Sequence, residues 1–62
     1  MGLSTFDIPT AFLYPNQRIA FLNWIAAIPT NESAKRALLS TWSRATSSTL
    51  TAADYNRALN RI

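Results

Sequence analysis

Sixty-two residues, 48% of them hydrophobic and with a formal net charge of +3, make one small domain at most. A chain of this size buries only about 60% of the surface its unfolded form exposes. The absence of cysteine and histidine excludes disulfides, a Cys/His zinc site and nucleophilic catalysis that needs either side chain.

Two means of stabilising so thin a core remain: tight helix packing, and association with a partner or with further copies. The longest stretch without a charge, Ile19 to Asn31, is well short of the roughly 20 apolar residues that span a bilayer, and Pro29 interrupts it. A secretory signal is not expected, since Asp7 is the first charge and no positive segment precedes an apolar run. Phe6 stands where myristoylation requires Ser or Thr, so the N-terminus is expected to be mature as written. Without cysteine there is no redox signal for compartment, and cytosol, periplasm and virion interior all remain compatible.

Residues 1–14 lack helical periodicity and contain Pro9, yet they carry Leu3, Phe6, Ile8, Phe12, Leu13 and Tyr14. Solvated tails are poor in aromatics because nothing offsets their exposure to water, so this segment is expected to lie as an extended arm across a surface. That surface is either the chain's own helices or a neighbouring molecule. The all-α helical domain, residues 15–62, follows the arm.

The first helix is expected over about 15–28, with Pro15 in its first turn. Phe21, Trp24, Ile25 and Ile28 fall on one face, and Ile19, Leu22 and Ala26 add a second apolar strip beside it. A helix apolar around most of its circumference needs cover on more than one side. Either it is the central helix of a three-helix core closed by the arm, or part of it is an interface.

Pro29 ends that helix, and Thr30 or Asn31 caps the next, expected over about 31–45. Its inward stripe is read as Ala34, Leu38, Thr41, Trp42 and Ala45, with Glu32, Arg36, Ser40 and Ser43 opposite. Glu32 and Arg36 stand four apart in the favourable order. The Thr46-Ser47-Ser48-Thr49 cluster breaks the helix without glycine, because these side chains compete for backbone hydrogen bonds.

The third helix, about 51–62, has the clearest start. Thr51 and Asp54 make a capping box, and Leu50 and Tyr55 take the two positions of a hydrophobic staple. Its apolar face is Ala52, Tyr55, Ala58, Leu59 and Ile62, with Arg57, Asn60 and Arg61 outward. Of two tryptophans in so small a chain, at least one is expected to stay partly exposed.

Three acids occur, Asp7, Glu32 and Asp54, and the last two have structural roles in first turns of helices. The only glycine is Gly2, which leaves no phosphate-cradling loop. A non-enzymatic protein is therefore expected, with no catalytic residues, cofactor, metal or small-molecule substrate.

All of the net charge lies in residues 31–62, where Lys35, Arg36, Arg44, Arg57 and Arg61 stand against Glu32 and Asp54. One reading makes the chain a small basic DNA- or RNA-binding regulator using Arg36, Arg44, Arg57 and Arg61, with Asn56 and Asn60 beside them. The connection from Thr46 to Leu50 is long for a helix-turn-helix and lacks glycine, and five cations spread over two helices are more often a solvated face that keeps a small apolar protein soluble.

The favoured reading is a structural or assembly protein that docks on a larger partner or on sister subunits. Its contact residues would be Phe6, Ile8, Phe12 and Tyr14 of the arm with Phe21, Trp24 and Ile28 of the first helix. A minor structural component of a bacteriophage particle fits that description. A small inhibitor of a host enzyme, docking by the same apolar surfaces, is a further alternative.

Overall fold

The computed structural model describes residues 8–60 and is all-helical, with no strand among the described residues. Two single 3-10 turns, Thr10–Phe12 and Pro15–Gln17, lead into α1 (Arg18–Ala27), followed by α2 (Glu32–Thr46) and α3 (Ala52–Ala58). The part of the expected arm that is described, residues 8–14, holds the first of these turns. Residues 1–7, including Phe6, lie outside the described residues.

Each boundary has a local cause. Pro15 opens a 3-10 turn, so the α-helix proper starts at Arg18, three residues later than the sequence predicts. Ile28 is extended at the end of α1, as a residue before proline must be, while its N–H still donates to Trp24 O at 3.1 Å. Lys35 Nζ donates to Ala26 O at 3.3 Å, so a cation satisfies one of the last carbonyls of α1. Asn31 caps α2 by accepting from the Ala34 N–H at 2.8 Å.

α2 ends at Ser47, whose φ of 54° is left-handed. Ser48 N–H reaches back to Ser43 O at 3.0 Å and the Ser43 hydroxyl donates to Ser48 O, closing the helix without glycine. The capping box of α3 is complete: Thr51 N–H donates to Asp54 Oδ2 at 2.9 Å, and Asp54 N–H donates to Thr51 Oγ1 at 3.2 Å. α3 stops at Ala58 instead of continuing towards residue 62, because Asn60 takes φ 59°, a conformation asparagine tolerates better than most residues.

The core is small: Phe21, Leu22 and Ile25 from α1, Leu38, Leu39 and Trp42 from α2, and Ala58 from α3. At its centre the rings of Phe21 and Trp42 stack with centroids 5.1 Å apart. Ala58 gives α3 a smooth face that lets it lie close against α1. The inward stripe of α2 centres on Leu39, with Leu38 and Trp42 beside it, whereas Thr41 and Ala45 are exposed. On α3 only Ala58 is fully buried, with Tyr55 and Leu59 partly so and Ala52 exposed.

Candidate docking surface

Residues 8–13 pack on the chain's own helices. Ile8, Phe12 and Leu13 are half-buried against the core, and the Phe12 ring lies 5.8 Å from that of Trp24. Trp42 Nε1–H donates to Phe12 O at 2.5 Å, which satisfies the one polar atom of a fully buried indole. Ile8 and Phe12 are thus intramolecular contacts in this structure.

Phe21 is likewise core and not surface: it has no exposed area, because it sits on the side of α1 that faces α2. Ile28 is half-buried against the same core. Trp24, between the Phe12 and Phe21 rings, keeps a partly exposed edge, while Trp42 has none, so one tryptophan of the two reaches the surface.

What remains outside is confined to the start of α1. Tyr14 is 56% and Ile19 52% exposed, and they are the large hydrophobic side chains left so open among the described residues. Ile19, Asn23 and Ala27 recur at intervals of four, are all exposed, and form a stripe of uncharged side chains along α1, with the Arg57 guanidinium bonded to Asn23 at its middle. Ile19 belonged to the apolar strip recognisable in the sequence, but nothing in the periodicity shows that this residue, rather than Phe21, faces outward.

The cations are mostly engaged within the fold. Arg36 Nε donates to Glu32 Oε2 at 3.0 Å, and its guanidinium lies 5.9 Å from the Tyr55 ring centroid. Arg57 donates to Asn23 Oδ1 at 3.0 Å, tying α3 to the outer side of α1. Arg44, exposed in the last turn of α2, has no side-chain hydrogen bond or ion pair among the described residues. Its place there suits the helix dipole. Arg61 lies outside the described residues.

The residue that sequence reasoning underrated is Arg18, the single cation of α1. One guanidinium nitrogen donates to Asp54 Oδ2 at 2.6 Å and to Thr49 O at 2.9 Å, and the group lies 5.8 Å from the Trp42 ring centroid. It therefore joins the start of α1 to the start of α3 across the edge of the core. Burial pushes the Asp54 carboxyl upward. The Thr51 backbone N–H, the Arg18 guanidinium and the Thr51 hydroxyl outweigh that and hold it below its ordinary value.

No group of three or more potential metal-ligating side chains occurs among the described residues, and no described helix is long and apolar enough to cross a membrane. No protein family, curated protein or solved structure matches the chain.

Proposed function

We propose that this chain is a small non-enzymatic assembly protein, and that the exposed start of α1 is the surface by which it associates. The observation that carries the reading is the exposure of Tyr14 and Ile19, at 56% and 52%, on a chain that turns its other described large apolar side chains wholly or partly inward. A subunit of a larger assembly, such as a minor structural component of a bacteriophage particle, has this character.

The intramolecular use of Arg18, Lys35, Arg36 and Arg57 favours docking over phosphate binding, since each cation taken by an internal acceptor is less free to displace counterions from a nucleic acid. Sedimentation equilibrium over a concentration range, with and without a short mixed-sequence duplex at low and moderate salt, separates the two. Association that persists as salt rises, with no bound duplex, supports the docking reading. A monomer that binds duplex and loses it steeply with salt overturns it in favour of nucleic-acid binding by Arg44 and its neighbours.

A further inference from the structure

Among the described residues both carboxylates are engaged internally, Asp54 with Arg18 and Glu32 with Arg36. Lys35, Arg44 and Arg57 are left without an ion pair there. Two of these three are held on α1 by neutral acceptors: Arg57 donates to Asn23 Oδ1 at 3.0 Å, and Lys35 Nζ to Ala26 O at 3.3 Å. Each bond uses one donor and orients the group, and neither cancels its charge.

Ile19, Asn23 and Ala26 stand at i, i+4 and i+7, the spacing of one helix face. The exposed Ile19, with Tyr14 before it, forms an apolar end, and the two anchored cations form a basic end within the next two turns. Capping of the last carbonyls of α1 is reason enough for Lys35. It is no reason for Arg57, which meets Asn23 in mid-helix, away from the carbonyls that a cation would cap.

We infer that this face of α1 takes an acidic amphipathic segment of a different protein, with its apolar side chains against Tyr14 and Ile19 and its carboxylates against Arg57 and Lys35. This rests on the docking reading above and states the chemistry of the partner.

Charge decides for that occupant over the alternatives. A second copy can meet the apolar end, but its described carboxylates are already spent and it brings the same surplus of cations. A nucleic-acid backbone can meet the basic end, but it offers no apolar side chain to Tyr14 and Ile19. An acidic amphipathic segment satisfies both ends at once, and complementary charge steers its approach to a chain of net charge +3. It therefore displaces association between copies, which uses the apolar end alone.

The test is a fluorescence-anisotropy titration of the full chain into a labelled helical peptide with leucines along one face and glutamates beside them. The same peptide with glutamine in place of glutamate is the comparison. The parent should prefer the glutamate peptide about fourfold or more, the product of two exposed ion pairs. Arg57→Gln and Lys35→Gln keep a donor for their acceptors on α1 and lose the charge, so each should weaken glutamate-peptide binding by about two- to fivefold. Arg44→Gln, which removes the same charge from the last turn of α2, should change it by less than about twofold. A melting curve of each variant shows that it folds.

Equal affinity for both peptides, a loss in Arg44→Gln as large as that in Arg57→Gln, or no binding of the glutamate peptide overturns the inference. The docking reading survives the first of these when Tyr14→Ser/Ile19→Ser abolishes binding of both peptides, and survives the last when that variant loses self-association. A short duplex that competes with the peptide and depends on Arg57 and Lys35 overturns both.

Discussion

Removing either partner of the Arg18–Asp54 pair should destabilise the fold by a large share of its total stability, and the two losses should not add. The pair is 2.6 Å apart, with the Arg18 side chain 32% and the Asp54 side chain 15% exposed. A hydrogen bond to a charged group contributes about 1.5–3 kcal/mol, and partial exposure of Arg18 lowers this to roughly 1–2 kcal/mol. Asp54→Ala also opens the capping box, at about 1 kcal/mol, for a total near 2–3 kcal/mol.

In a chain of this size each kcal/mol lowers Tm by about 4–8 °C, so Asp54→Ala should melt about 8–24 °C below the parent. Urea unfolding of Arg18→Ala, Asp54→Ala and the double variant gives the coupling. We expect about 1–2 kcal/mol. A coupling within about 0.5 kcal/mol of zero would refute the argument that this ion pair ties α1 to α3.

Three further outcomes follow from the same contacts. Because the folded-state pKa of Asp54 is depressed, its contribution is fully present above the unfolded-state value near 3.9 and is lost as pH falls through the lower folded value. Stability in urea should therefore drop below about pH 4, and Asp54→Asn should flatten that drop. Ser47→Gly should raise stability by about 0.5 kcal/mol: relief of the left-handed cost of 1–2 kcal/mol at φ 54° outweighs the entropy that glycine adds to the unfolded chain. Trp42→Phe leaves Phe12 O without its donor and opens space beside Phe21, costing about 2–3 kcal/mol, and should raise amide hydrogen exchange at Phe12 and Leu13 above that of α1.

The helix starts are legible in the sequence because their causes are local. Asn31 and the Thr51–Asp54 box act within one turn, and Pro29 stops α1 wherever the rest of the chain lies. The serine and threonine cluster after α2 is legible for the same reason. The exact burying face of α2 is not. Ala34, Thr41 and Ala45 share a regular spacing with Leu38 and Trp42, yet packing against α1 rotates the helix so that Leu39 lies at the centre.

The end of α3 at Asn60 was readable in principle, since asparagine is a common left-handed residue, but Ile62 at helical spacing argued for continuation. Long-range ties leave no mark on sequence spacing. Arg18 and Asp54 are 36 residues apart, and Trp42 and Phe12 are 30.

The candidate surface was legible only in outline. Excess apolar content in the first 28 residues points to a contact region, but which of those side chains are spent on the internal core depends on how residues 8–13 and α2 close over α1. They take Phe21 fully and Ile8, Phe12 and Ile28 in part, and leave Tyr14 and Ile19 outside.

The most direct measurement is the sedimentation-equilibrium mass of the Tyr14→Ser/Ile19→Ser double variant against the parent over the same concentrations, with the melting curve of each recorded alongside. Docking through this surface predicts a variant that folds, with a melting temperature near that of the parent, and loses association. A variant that associates as strongly as the parent, or a parent that associates with nothing except duplex, contradicts the account.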